Sequence, residues 1–496
     1  MTHETIKNIP CRMGVSTRLC ERWTAGPHMG PGCVQVHRFR AENHRLVYTE
    51  PQRPVWHEHC NPPRVFPFSK DRLMTQNDSG NDYPLSEVPL HARKGLASTA
   101  MVLLGFTFFT ATMFAGGKLG VAFGFAELMA VIIVGNLLLG VYAAGLGYIA
   151  FKSGLNSVLM GRFCFGEVGS KLSDLILGFT QIGWYAWGTA TAAVVIGKYF
   201  NLDEATVLGL MVLFGLMFCA TAYVGYRGLE ILSYIAVPAM MLLLILSMWV
   251  ATVKVGGFEG LLSVVPSGSL DWSTAITLVF GTFVSGATQA TNWTRFSRSA
   301  KVAVLASLIG FFIGNGLMVL IGAYGAIVYQ QPDVVEVLLL QGFAMAAMAM
   351  LLLNIWSTQD NTIYNFAVAG CNLLRTGRRK TVTLAGAVIG TLLALLGMYD
   401  MLVPYLILLG TVIPPIGGVI MADFFYRWRG RYPRLADARL PAFNWPGLGA
   451  YGVGTVAAFS SPWVAPLVGI AAAALTYVIF TAILGARSAS APLQDL

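Results

Sequence analysis

From Gly95 to Gly485 the chain alternates between long apolar runs and short polar breaks. Each run is close to the roughly 20 residues that cross about 30 Å of hydrocarbon as a helix. About twelve spans are expected, at 95–121, 125–151, 170–198, 205–224, 227–253, 272–294, 300–329, 334–372, 380–397, 400–425, 444–461 and 463–485. The eighth is interrupted by a polar island, Asn354-Ile-Trp-Ser-Thr-Gln-Asp-Asn361, at a depth where polar side chains are costly unless paired or functional. On a helix, Asn354, Ser357 and Thr358 fall at i, i+3 and i+4. One backbone carbonyl and two hydroxyls then face the same side, and oxygen ligands suit a small hard cation.

Two other spans carry small, polar breaks near their middles. The first reads Gly105-Phe-Thr-Phe-Phe-Thr-Ala-Thr-Met-Phe-Ala-Gly-Gly117 and the sixth Gly281-Thr-Phe-Val-Ser-Gly-Ala-Thr-Gln-Ala290. They lie five spans apart, and an odd offset gives them opposite orientations. That is the pattern of an inverted repeat of five helices plus five, with unwound backbone at the midplane available to ligands. The repeats would cover 95–253 and 272–425, followed by two accessory helices over 444–485. Glycine in a membrane helix serves close packing as often as hinging; the paired placement is what favours a site.

The composition agrees: of 496 residues, 55% are hydrophobic and 11% charged, against about 25% charged in an average soluble protein. The net charge of +9 would be compatible with nucleic acid, but the basic residues lie between apolar spans rather than along one face. They read as topology signals, and no nucleic-acid partner is expected. Alternate loops hold Arg93 and Lys94; Lys152, Arg162 and Lys171; Arg227; Arg295, Arg298 and Lys301; Arg375, Arg378, Arg379 and Lys380; and the stretch 426–443. The intervening loops hold acids such as Asp203, Glu204, Asp271, Asp333 and Asp400. The positive-inside rule then puts both termini in the cytoplasm, with a leader at 74–94 and a tail at 486–496.

Residues 1–73 are rich in Arg, His and Pro without periodicity, which argues for a disordered or non-native extension. The natural start is expected at Met74, which opens an ordinary polar leader. His57, His59 and Cys60 match no common zinc-site spacing, and the seven cysteines form no disulfide framework.

In the third span Gln181, Trp184 and Gly188 share a helix face. An indole stacks on a planar ring, while a primary amide gives a donor and an acceptor to a polar edge. Trp184 packing within the bundle is the plain alternative. Phe283 in the sixth-span break offers a second aromatic face, beside Thr282 and Ser285. No cluster of charge at membrane depth would grip an ion-like substrate, so a neutral planar molecule is expected. Asp360 is the main acid inside an apolar span, either a structural hydrogen-bonded group or a proton carrier. No metal-ligand cluster or activated nucleophile marks an enzyme.

The segments Leu104-Gly-Phe-Thr-Phe-Phe109, Gly135-Asn-Leu-Leu-Leu-Gly140, Thr180-Gln-Ile-Gly-Trp184, Asn354-Ile-Trp-Ser-Thr358 and Ile413-Pro-Pro-Ile-Gly-Gly418, followed by Ala422-Asp423, resemble the bacterial cytosine permeases of the nucleobase-cation symport family. The resemblance runs from about Ala92 to about Gly485. It implies an all-α, inner-membrane fold of two inverted five-helix repeats plus two C-terminal helices, with sodium-coupled import of a nucleobase and no organic cofactor. Carried over by position, the carbonyls of Gly105, Phe108 and Asn354 would join the hydroxyls of Ser357 and Thr358 around sodium. The base would lie between Trp184 and Phe283, with Gln181, the Thr282 to Ser285 segment and Gln359 at its polar edge. Gln359 stands where these permeases tend to have Asn, and Thr282 where they tend to have Ser, changes able to alter selectivity at a snug site. Proton coupling, a hydantoin-like substrate and a membrane sensor without transport are the alternatives; oligomeric state is not legible, and lipid is the remaining expected partner.

Overall fold

The computed structural model describes residues 82–331 and 334–488, together with strand residues 19–24, 35–42 and 45–48. The chain divides into two units, Met1–Thr75 and Gln76–Leu496. In the first, strands β1 (Leu19–Thr24), β2 (Gln35–Glu42) and β3 (Arg45–Tyr48) pair antiparallel in the order β1-β2-β3. Regular structure was not expected there. Short segments such as Arg45-Leu-Val-Tyr48 have strand preference without the length to show a period. The Met74 start, the 57–60 cluster and most of the C-terminal tail lie outside the described residues.

In the second unit every expected span has a helical counterpart. α1 (Leu96–Thr107) and α2 (Thr110–Ala122) form the first, bent by 61° at the break. α3 (Phe125–Ser153), the short α4 (Ser157–Phe165), α5 (Ser170–Phe200), the pair α6 (Glu204–Met217) and α7 (Cys219–Val224), and α8 (Tyr226–Lys254) fill the stretch expected as the first repeat. After α9 (Phe258–Leu262), the sixth span is split into α10 (Trp272–Gly281), α11 (Val284–Gln289) and α12 (Thr291–Thr294). α13 (Ala300–Ser307) passes through a π-helical turn, Leu308–Gly314, into α14 (Asn315–Tyr329). The stretch expected as the second repeat continues with α15 (Val334–Leu340), α16 (Ala344–Leu373), α17 (Arg379–Leu395), α18 (Leu402–Val412) and α19 (Pro414–Ala422); α20 (Trp445–Ser460) and α21 (Ala465–Ser488) follow. Among the described residues, six helical stretches are individually long and apolar enough to cross a membrane, and the bent α1–α2 pair makes a seventh. α5 and α16 also have the length, but they carry the polar side chains of the interior.

Local chemistry explains several boundaries. Asn156, Asp203, Asp271 and Ser299 cap α4, α6, α10 and α13 by accepting from backbone N–H groups in the first turn. Between α2 and α14 the small residues decide the packing. Gly116 and Gly120 lie on the carbonyls of Val319 and Ala323, and Gly322 on that of Met113, so a Cβ at any of them would strike backbone.

The leader is tied down from Asp82 onward. Val88 N–H donates to Gly154 O at 3.0 Å and Lys94 N–H donates to Phe296 O. Arg295 donates to the carbonyls of Asp82 and Tyr83 at 2.7 and 2.8 Å, and Arg379 to that of Ala222 at 2.7 Å. Both arginines are buried. They are therefore not simple loop charges: they hold the leader and the C-terminal end of α7, where carbonyls carry the negative end of the helix dipole.

Candidate functional site

The first-span break frees backbone. The last amide of the α1 ladder is Phe108 N–H to Leu104 O at 2.9 Å, so carbonyls from Gly105 onward lie past it. Phe108 and Phe109 leave the helical region, with φ/ψ of −74°/87° and −134°/131°. Onto this break α16 presents its polar island. Asn354 Oδ1 accepts from both Thr110 N–H and Thr110 Oγ1 at 2.7 Å, docking the start of α2. Thr358 Oγ1 sits 3.4 Å from Phe106 O, 3.2 Å from Phe108 O and 3.1 Å from Asn354 O. Ser357 Oγ is 3.1 Å from Asn354 O.

A hydroxyl has one proton, so Thr358 satisfies only one of three converging carbonyls. Ser357 Oγ can donate to Asn354 O as well, which leaves the break carbonyls of Phe106 and Phe108 to share the Thr358 proton; such a neutral, oxygen-rich set fits a hard cation. Phe106 stands beside Phe108 in this set. Gly105, whose carbonyl is also expected there, packs its Cα face where α1 crosses α8: a Cβ on it would run into the side chain of Ser233.

Beside the oxygens lies a cavity lined by Phe106, Phe109, Gln181, Trp184, Thr282, Phe283, Ser285, Thr358 and Thr362, with an empty volume of about 250 Å³ including its solvent-open part. Gln181 and Trp184 of the third span are thus brought together with Thr282, Phe283 and Ser285 of the sixth. Gln359 is not among the lining residues. Its amide donates to Trp184 O at 3.0 Å, and it fits between helices because residue 188 is glycine. Trp184 is further braced edge-on by Tyr405 at 5.5 Å, whose hydroxyl donates to Thr180 O.

Phe109 occupies the middle of the aromatic set. Its ring is edge-on to Trp184 at 5.4 Å and to Phe283 at 6.3 Å, so the two expected stacking faces are not an open slot in this state. Asp360 is on another side of α16, accepting from Thr221 Oγ1 at 3.1 Å and Asn361 Nδ2 at 2.9 Å. Thr110, Thr362 and Phe109 were not singled out from the sequence. Only the polar Thr-rich register of the break hints at the first.

Two broken spans meeting at a buried, uncharged aromatic cavity, beside a convergent oxygen set, define a secondary transporter of the five-plus-five inverted-repeat class. The fold is that of Mhp1, a nucleobase-cation-symport-1 family transporter, in a closed conformation with bromovinylhydantoin bound: TM-score 0.73 at 19% identity, covering 83% of this chain and 96% of that one. The inward-facing conformation of Mhp1 gives 0.69 at 18% identity, covering 81% and 93%.

Residues 87–487 match the family described as permease for cytosine/purines, uracil, thiamine, allantoin. The cytosine permease of Escherichia coli (strain K12) is 39% identical over 412 residues, 83% of this chain and 97% of that protein. The chain belongs to this cytosine and purine permease family, and is a multi-pass transporter rather than an enzyme.

Proposed function

We propose that the protein imports a neutral planar nucleobase, cytosine foremost, together with sodium, by alternating access across the bacterial inner membrane with both termini cytoplasmic. The observation that carries this reading is the cavity itself. Trp184 and Phe283 supply aromatic faces, Gln181, Thr282 and Ser285 supply hydrogen-bonding groups, and no lining residue is charged. The 39% identity to a cytosine permease supports the choice of base.

In this reading Ser357 and Thr358, with carbonyls of Asn354, Phe108 and Gly105, hold the sodium that travels with the base. Occupancy ties α16 to the α1–α2 break, and the adjoining cavity takes the base more tightly as a result. The ring of Phe109 swings aside to let the base reach both aromatic faces. Gln359 acts from behind Trp184 rather than on the base. Competition of unlabelled cytosine, uracil, hypoxanthine, hydantoin and allantoin against sodium-driven uptake tests the substrate. Cytosine should compete at the lowest concentration; stronger competition by hydantoin or allantoin contradicts the assignment.

Asp360 favours one second reading, proton coupling, because it is a buried carboxyl held by Thr221 and Asn361 on the same helix as the oxygen set. Uptake that persists at fixed pH with choline in place of sodium, and collapses in Asp360→Asn, would select it.

A further inference from the structure

One hydrogen-bond chain enters the cavity from outside its lining and converges on Asn315. This residue opens α14 directly after the π-helical turn, a feature frequent at functional sites, and is fully buried. Its Nδ2 donates to Asn136 Oδ1 at 2.8 Å and to Thr282 Oγ1 at 3.0 Å, while its Oδ1 accepts from Thr112 Oγ1 at 3.2 Å. The direction of the chain is fixed at both ends by backbone carbonyls, which only accept. Asn136 Nδ2 donates to Ile132 O at 2.8 Å, so the Asn136 oxygen must face Asn315. Thr282 donates its single proton to Val279 O at 2.7 Å. Thr282 therefore meets the cavity with a lone pair and no proton.

Gln181, in the same lining, has the opposite character. Its Oε1 accepts from Asn365 Nδ2 at 3.4 Å, and its buried Nε2 has no partner among the described residues. A buried donor without an acceptor is costly, and a ligand oxygen or ring nitrogen would satisfy it.

We infer that Asn315 is a positioning residue that sets the hydrogen-bond polarity of the site, holding Thr282 as an obligate acceptor opposite the Gln181 donor. The inference rests on the proposed function and sharpens its substrate class. The site takes a heterocycle that offers an amine N–H to Thr282 and a carbonyl or ring nitrogen to Gln181. A dioxo ring turning a carbonyl to Thr282 sets lone pair against lone pair and is disfavoured. Through Thr112 and Thr282 the same side chain also links the two broken spans.

The test is binding of cytosine and of uracil to the purified full-length chain at saturating sodium, read as the ratio of the two Kd values. The unaltered protein should prefer cytosine by about 100-fold or more, since a site built around a hydrogen bond discriminates strongly against the wrong group. Asn315→Leu leaves Thr282 able to turn its proton either way, and the ratio should fall about tenfold. Thr282→Val should lower it similarly, and adding Asn315→Leu to Thr282→Val should change it no further. A defect of packing alone weakens both bases together and leaves the ratio intact.

A ratio unchanged within about twofold in Asn315→Leu, or a further drop in the double variant, overturns the inference. Should Asn315→Leu not fold, Thr282→Val decides: an unchanged ratio there is equally fatal. Failure of the unaltered protein to bind either base removes the proposed function and this inference with it. Binding with a ratio insensitive to both substitutions removes the inference alone.

Discussion

Thr358→Val replaces a hydroxyl by a methyl of nearly the same shape, in a side chain almost fully buried between α16 and the first-span break. The lost oxygen lies 3.1–3.4 Å from three carbonyls, two of them on the break, so it is the atom that bridges the two spans. Removing one partner from a buried polar set costs about 1–3 kcal/mol, or roughly five- to 150-fold in an equilibrium constant. Sodium affinity should fall by that factor. Coupling is reciprocal, so the base should bind more weakly at low sodium and recover as sodium saturates.

Ser357→Ala should cost less, because among the described residues the Ser357 hydroxyl has one partner, Asn354 O in its own helix, at 3.1 Å. Cytosine binding to purified protein, titrated with sodium chloride against choline chloride at constant ionic strength, reads all three effects. Superimposable sodium curves for Thr358→Val and the unaltered protein, or a larger shift for Ser357→Ala, would refute the reasoning.

Three further outcomes follow from the packing. Trp184→Ala should raise the Kd for cytosine by roughly five- to 150-fold, since stacking on an aromatic side chain is worth about 1–3 kcal/mol per base, with little change in membrane insertion. A Kd within twofold of normal by equilibrium binding would remove Trp184 from the site. Gly188→Ala puts a Cβ into the Gln359 amide and should abolish uptake, while adding Gln359→Ala to it should restore part of the activity; no recovery in the double variant would mean that some other contact at residue 188 matters. Gly120→Val drives a side chain into the Ala323 carbonyl of α14, and such overpacking, costing about 1–3 kcal/mol or more, should lower the melting temperature in detergent by several degrees, with an unchanged melting curve as the opposing result.

What the sequence revealed depended on range. Asn354, Ser357 and Thr358 were legible because their relation is local, a helical spacing inside an apolar run. Trp184 and Gln181 were legible for the same reason. The docking of Asn354 onto Thr110 joins positions 244 residues apart, and nothing in either segment announces the other. Asn315 was hidden more deeply: it is a single amide in an apolar span, and its role exists only because α2, α3 and α10 bring Thr112, Asn136 and Thr282 to it. Arg295 and Arg379 read as loop charges because positive-inside counting sees only position along the chain, whereas in the fold Arg295 is buried against the leader and Arg379 against the end of α7. Gln359 was placed at the polar edge of the base by resemblance, since it stands where cytosine permeases tend to have Asn. In the structure its amide donates to Trp184 O and packs on Gly188, where a missing side chain makes room for it.

Uptake of labelled cytosine into proteoliposomes, with an imposed inward sodium gradient at equal pH on both sides, tests the central claim most directly. Accumulation should exceed equilibrium, vanish when choline replaces sodium, and be lost in Trp184→Ala. Accumulation that is indifferent to sodium and follows an imposed proton gradient would contradict sodium coupling, and no accumulation of cytosine under either gradient would contradict the proposed substrate.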